Sequence, residues 1–207
     1  MTSTPSHLLD ARALAPHVPG PVLDVCRDLR KAGYKAFLVG GAIRDLLLKR
    51  PVNDFDVATS AHPDQVAQVF GRRRTIPTGA AHGTVTVLVG REEAEAAGLE
   101  TPGVEVTTFR GEGAYADGRR PDQVIFLDDI VEDLRRRDFT VNSMAVRLPA
   151  LELVDPFGGL DDLEAGLLRT PGTPEESFGD DPLRMMRAAR FASTLGLEVA
   201  PEVVAAM

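Results

Sequence analysis

LVGGAIRDLLLKRPVNDFDVATSAHPDQV, residues 38–66, changes its hydrophobic period several times within a short span. Together with the two residues before it, the run AFLVGG at 36–41 is apolar and then ends in a glycine pair, as a short buried strand entering a tight turn would. AIRDLLLKR at 42–50 is helical in composition and stops before Pro51, because the residue preceding a proline avoids the helical region. DFDVATS at 54–60 alternates like a half-buried strand. HPDQVAQVFG then starts a second helix with Pro63 near its first turn.

The pattern extends outward on both sides. LDVCRDLRKA at 23–32 places Leu23, Val25, Cys26 and Leu29 near helical spacing, with Gly33 as the stop. Strand-like runs recur at 84–89, 104–109, 124–127 and 144–148. GEGAYADGRRPDQ at 111–123, which holds Tyr115, Arg119 and Arg120, is rich in glycine and charge and reads as a long mobile loop. After Pro149 strand signals nearly stop, and from Asp180 the chain reads as helix, with Pro182 near the start and Gly196 after the end. A mixed α/β domain is therefore expected over 20–148, followed by the start of a helical domain over 149–207.

Composition narrows the function. The 207 residues are 43% hydrophobic and 26% charged, which suits a globular protein, and no apolar run is long enough to span a membrane as a helix. The N-terminus lacks the basic and apolar segments of a secretion signal, and the single cysteine, Cys26, suits a reducing cytoplasm. A net charge of −8 argues against a protein that coats nucleic acid through a broad basic surface. Neither the G-x-G-x-x-G nor the Walker A spacing is present.

Two clusters carry chemistry. Asp54 and Asp56, two apart in an expected strand, emerge on one face, while Phe55 and Val57 point into a core. Side-by-side carboxylates suit Mg²⁺, which takes one or two carboxylates together with substrate phosphates. Alone, such a pair better suits a solvated strand edge. Glu105 would add a third carboxylate if its strand lay next to the first. Gly40 and Gly41, between strand and helix, allow backbone amides to approach a phosphate, and Arg44 one turn later adds a fork of donors.

The order and spacing of these groups resemble the polymerase-β-like nucleotidyltransferases, in the branch of CCA-adding enzymes (class II tRNA nucleotidyltransferases) and poly(A) polymerases. GTVTVLV and VEVTTFR (83–89, 104–110), DLRRRDFTVNSMAV (133–146), DPFGGLDDLEAGLLRT (155–170) and DDPLRMMRAARF (180–191) resemble further blocks of that family in the same order. The chain departs from the pattern at Asp180-Asp181, where Glu-Asp is usual, and at Asn142-Ser143, where Asn-Ala is usual.

The resemblance implies a mixed-sheet catalytic head flanked by helices, leading into an all-helical neck. It implies Asp54 and Asp56 as Mg²⁺ ligands, with Glu105 beside them, and Gly40, Gly41, Arg44 and Arg137 as nucleotide contacts. Asp181, Arg184, Arg187 and Arg190 fall on the family's nucleotide-binding helix. The implied reaction adds C, A or both to the tRNA 3′ end from CTP and ATP, without a nucleic-acid template, and releases pyrophosphate. Two alternatives stay open: a bacterial poly(A) polymerase, and a nucleotide-binding head that is inactive without tRNA-gripping domains.

The base-reading logic also stands on chemistry. Asp181 and Arg184 lie at i, i+3 on one helix face, one an acceptor and the other a donor. Cytosine and adenine each pair an amino donor with a ring-nitrogen acceptor, and uracil and guanine reverse that order. One Asp/Arg pair can therefore accept C and A and reject U and G. The same residues would also serve as a helix cap and a solvated edge.

Overall fold

The computed structural model describes residue 14 and residues 16–52, 54–111 and 125–207. Helix α1 (Gly20–Lys31) buries Val22, Val25, Cys26 and Leu29 as one apolar stripe and carries Pro21 in its first turn. Gly33, at φ +91°, turns the chain into β1 (Ala36–Val39), whose four residues are all buried. Gly40, at φ +74°, leads to α2 (Gly41–Leu47), and β2 (Asp56–Thr59) follows. Next come α3 (Pro63–Phe70), β3 (Thr75–Gly79), β4 (Thr84–Leu88), α4 (Arg91–Ala96) and β5 (Gly103–Thr108). The short β6 (Arg110–Gly111) and β7 (Ile125–Phe126) pair with each other ahead of α5 (Ile130–Arg135), β8 (Ala145–Arg147) and β9 (Glu152–Val154). The last segment holds α6 (Gly159–Ala165), β10 (Leu167–Leu168), α7 (Pro174–Asp180), α8 (Leu183–Leu195), β11 (Glu198–Val199) and α9 (Pro201–Ala205).

Seven strands form one mixed sheet in the order β3-β4-β5-β2-β1-β8-β9. Only β2 and β5 run parallel within it, and the other pairs are antiparallel. The mixed α/β head expected from the sequence is the observed architecture. The sheet continues beyond residue 148 to Val154, because β8 and β9 form a hairpin across Pro149. Beyond it, β10 and β11 form a separate parallel pair of two residues each, too short to leave an alternating pattern. Nearly all of the expected 111–123 loop, with Tyr115, Arg119 and Arg120, lies outside the described residues.

Strand parity distributes the core over the two faces. Leu38, Val57 and Val106 point to one face, into the large cluster built on α1 and α3. Phe37, Val39, Ala58 and Ala145 point to the other, where Phe109, Ile130 and Leu134 cover them. That second face is roofed only in part. Its uncovered end carries Asp56, Glu105, Thr107 and Thr84, which all line a cleft.

A buried turn supports that cleft. The 3₁₀ turn Thr140–Asn142 packs against α6, where Thr140 Oγ1 donates to Asp162 Oδ2 at 2.7 Å and Arg169 Nη1 donates to Asp162 Oδ1 at 2.7 Å. Gly159 makes this approach possible, since a Cβ there would collide with the Thr140 carbonyl and press on Met144 Cγ at 3.1 Å. Gly159→Ala is expected to destabilise the fold by about 3 kcal/mol, the upper end for overpacking, because the obstructing atoms are backbone. Urea unfolding of the two proteins checks this, and an unchanged midpoint would contradict the packing argument.

Candidate active site

The cleft has a volume of about 860 Å³, and every site residue proposed from the sequence lines it. Asp54, Asp56 and Glu105 stand on one wall, Gly40, Gly41, Arg44 and Arg137 on a second, and Arg184, Arg187 and Arg190 on α8, with Asp181 just ahead of that helix. Asp56 opens β2, whereas Asp54 precedes the strand, so the Asp-x-Asp pair straddles the strand's entry instead of lying within it. Glu105 is the register partner of Asp56 on the neighbouring parallel strand. The strand adjacency that would bring in a third carboxylate is thus present.

Asp56 is exposed to solvent at the start of β2 and lines the cleft. Desolvation there, then the charge of Glu105, raises its carboxyl above the ordinary value; Arg137 opposes and Asp54 adds to the rise. Gathered carboxylates of this kind suit a cation placed between them. Among the described residues no three acidic, His or Cys side chains converge closely enough to enclose a metal alone. A hard divalent ion that draws its remaining ligands from phosphates and water fits this donor set, and a fully protein-caged ion does not.

The glycine pair has a steric cause. A Cβ on Gly40 would lie 3.0 Å from Arg137 Nη1, and one on Gly41 would lie 3.3 Å from Arg44 Nη2. Each glycine therefore lets a guanidinium rest against the turn. Arg44 is only 7% exposed. It grips Asp45 with a two-bond fork, Nε to Oδ1 at 3.0 Å and Nη2 to Oδ2 at 2.7 Å, and donates from Nη1 to Asn142 Oδ1.

Two buried carboxylates organise the arginines. Asp133 accepts from the Arg110 backbone N–H at 3.0 Å, from Arg136 Nη2 at 3.2 Å and from Arg137 Nη2 at 3.1 Å. Burial alone would raise its carboxyl, but Arg137, Arg136 and the Arg110 N–H outweigh it and hold it below the ordinary value. Asp138 accepts from Asn142 Nδ2 at 3.0 Å and from Arg187 Nε at 2.7 Å.

The helix expected from Asp180 begins instead at Leu183, since Asp180 ends α7 and Asp181 is extended between the two helices. Asp181 Oδ1 accepts the Leu183 N–H at 3.0 Å, so it meets Arg184 from the helix start and not from one helix face. Arg184 donates to Ser177 Oγ at 2.8 Å and to the Arg136 carbonyl at 2.7 Å. The Phe191 ring lies under three guanidinium groups, Arg190 at 4.9 Å, Arg44 at 5.1 Å and Arg187 at 5.6 Å. Sequence reasoning missed Arg110, Asp138, Asn142 and Phe191 as cleft residues. The i, i+4 spacing of Asp138 and Asn142 was a usable signal for that pair, and nothing local marks Arg110.

Comparison with known proteins bears on this geometry. Residues 36–169 match the family model described as the poly A polymerase head domain. The chain belongs to that family. It is 46% identical over 187 residues to the CCA-adding enzyme of Lactobacillus johnsonii, covering 90% of this chain and 44% of that one. It is 48% identical over 180 residues to the CCA-adding enzyme of Anoxybacillus flavithermus, covering 87% and 42%. Among solved structures, the head is similar to the Bacillus stearothermophilus CCA-adding enzyme in complex with CTP, with a TM-score of 0.75 at 41% identity over 89% of this chain and 41% of that one. It also matches a tRNA nucleotidyltransferase complexed with a primer tRNA and an incoming ATP analog, with a TM-score of 0.65 at 29% identity over 88% and 48%. The chain thus spans less than half the length of these relatives.

The two carboxylates have opposite linkage to pH. Asp56, with its folded-state value raised, loses stabilising effect as pH rises from the ordinary carboxylate value through the raised one. Asp133, with its value lowered, contributes fully above the ordinary value and loses that contribution as pH falls through the lowered one. In metal-free buffer at pH 7, Asp56→Asn should therefore raise the urea midpoint. Asp133→Asn should lower stability by about 3 kcal/mol, the scale for breaking a buried ion pair. Shifts of the same sign in both variants would contradict the electrostatic account.

Proposed function

We propose that this head transfers a nucleotidyl group from CTP or ATP to the 3′ end of a tRNA, without a nucleic-acid template, and releases pyrophosphate. The observation that carries the reading is the meeting of a carboxylate wall and arginine-lined walls in one cleft. Similarity to relatives that are CCA-adding enzymes supports it, as does likeness to solved structures holding CTP or a primer tRNA.

In this reading Asp54 and Asp56 hold Mg²⁺, with Glu105 completing the carboxylate wall. Bound there, the ion supplies Lewis-acid stabilisation of phosphate charge. Gly40 and Gly41 keep the turn thin enough for the triphosphate to approach, and Arg44 and Arg137 flank it. Asp181 and Arg184 read the base edge, while Arg187 and Arg190 line the same helix face. Reading requires Asp181 to exchange its cap bond, and Arg184 its bonds to Ser177 and Arg136, for bonds to the base. A base that returns equivalent bonds offsets that exchange, and one with reversed donor order leaves groups unpaired at about 1–3 kcal/mol each.

Residues 20–148 form the catalytic head in this proposal, and 149–207 the start of a helical neck whose first residues complete the sheet. Among the described residues no helix is long and apolar enough to cross a membrane. Cys26 is buried, with its thiol pushed up to about 12 chiefly by burial, which suits a protein of the reducing cytoplasm.

The test is incorporation of labelled CTP and ATP into tRNA lacking its CCA end, with Mg²⁺, for this chain and Asp54→Ala. Transfer is expected, with a loss on the order of a hundredfold or more in the variant, the scale for removing a stabiliser of transition-state charge. Equal transfer to generic RNA would favour a poly(A) polymerase. CTP binding without transfer would mean a head that needs further tRNA-gripping domains. Undiminished transfer by the variant would overturn the assignment of Asp54.

A further inference from the structure

Asn142 lines the cleft at 6% exposure, between Arg44 of α2 and the buried Asp138. Its Oδ1 accepts from Arg44 Nη1, and its Nδ2 donates to Asp138 Oδ1 at 3.0 Å. The two neighbours make opposite demands. A guanidinium can only donate, and a carboxylate paired to an arginine accepts. A side-chain amide, with an oxygen and an NH₂ on one rigid plane, answers both at once. Turned over, it would set its NH₂ against Arg44 and its oxygen against Asp138, so the two neighbours fix its orientation.

Asp138 passes the constraint on. Its Oδ1 also accepts the Phe139 N–H at 2.8 Å, and its Oδ2 takes Arg187 Nε at 2.7 Å and Nη2 at 2.6 Å. Arg44 is committed in the same way on its own side, since Nε and Nη2 form the fork to Asp45 while Nη1 serves Asn142. Two arginines from distant elements thus share one path of three hydrogen bonds, from Arg44 through Asn142 and Asp138 to Arg187. Phe191 gives them a second, apolar link, with the guanidinium groups of Arg44 and Arg187 at 5.1 Å and 5.6 Å from its ring centroid.

Neither an acidic nor an apolar side chain reproduces the bridge. A carboxylate in place of the amide would still accept from Arg44, but it would face Asp138 with like charge. An apolar group would leave a donor of the buried Arg44 and an oxygen of the buried Asp138 without their partner. Arg184 lies outside the path, held separately by Ser177 Oγ and the Arg136 carbonyl.

We propose that Asn142 is a positioning residue that couples the two sides of the nucleotide, so that the contact of Arg44 with the triphosphate and the placement of Arg187 on α8 are set together through its amide. The proposal rests on the nucleotidyl-transfer reading, in which Arg44 flanks the triphosphate and α8 faces the base. Phosphates that draw on Arg44 change what it donates to Asn142, and the bond from Asn142 to Asp138, with Arg187 behind it, adjusts in turn. Such a link is a free energy shared between two contacts. It appears as non-additivity between them, and a residue that only supports the fold does not produce it.

The experiment is equilibrium binding of CTP at one fixed Mg²⁺ concentration to Arg44→Lys, Arg187→Lys and the two combined, each made in the parent chain and in Asn142→Ala. In the parent, the combined loss of affinity should differ from the product of the single losses by about fivefold or more, the lower end for coupled sites. With Asn142→Ala the losses should multiply to within about twofold. Asn142→Asp keeps the volume and the acceptor for Arg44 while breaking the bond to Asp138. Its losses should multiply as well, and it carries the test if the Ala variant fails to fold. Non-additivity that persists in a folded Asn142 variant would assign the link to the Phe191 ring and overturn the proposal. Losses that already multiply in the parent would overturn it too. Both results include CTP binding by the parent and leave nucleotide recognition standing, whereas absence of that binding would sink the reading and the proposal together.

Discussion

Asp138 is the joint on which the cleft depends. Buried at 7% exposure, it accepts the N–H of Phe139, the amide of Asn142 and the guanidinium of Arg187. Asn142 turns its carbonyl to Arg44, which holds Asp45. One unbroken path of hydrogen bonds thus links α2, the turn at 140–142 and α8, three segments distant in sequence. Asp138, Asn142 and Arg44 are themselves buried, so removing a partner of any of them strands a polar group at a cost of about 1–3 kcal/mol.

The joint is itself anchored from behind. Phe139 is fully buried and meets Phe191 edge-on at 5.8 Å, so the residue after Asp138 packs on the same helix that carries Arg187. Thr140 ties the turn to α6 through Asp162. The apolar and polar contacts of one five-residue stretch, Asp138 to Asn142, therefore act in the same direction. Consistency of this kind between packing and hydrogen bonding is what makes a single geometry stable.

The electrostatics of the cleft run against the net charge of the chain. At −8 the molecule is acidic, yet the cleft gathers seven arginines, Arg44, Arg110, Arg136, Arg137, Arg184, Arg187 and Arg190. Asp133 pairs with Arg136 and Arg137, Asp138 with Arg187 and Asp45 with Arg44, and the Phe191 ring lies under Arg44, Arg187 and Arg190. Net charge governs long-range behaviour, whereas local charge in a partly desolvated cleft governs what is bound there.

Much of this was legible before the fold was known, and the physical reason is locality. The period-two alternation around Asp56, the buried run of β1, the glycine pair and the helical run ending at Gly196 each depend on neighbours within one turn or strand. So does the alternation that sends Phe55 and Val57 to the core and exposes Asp56. Short elements escaped, among them β3, α5, β9 and α7, since a few residues held by long-range pairing leave no period to read. Tertiary structure alone decided that Glu105 stands beside Asp56, that Asn142 bridges Arg44 to Asp138, and that Arg110 meets Arg136 and Arg137 around Asp133. Strand order and buried charge pairing join residues tens of positions apart, and no spacing along the chain encodes which of them will meet.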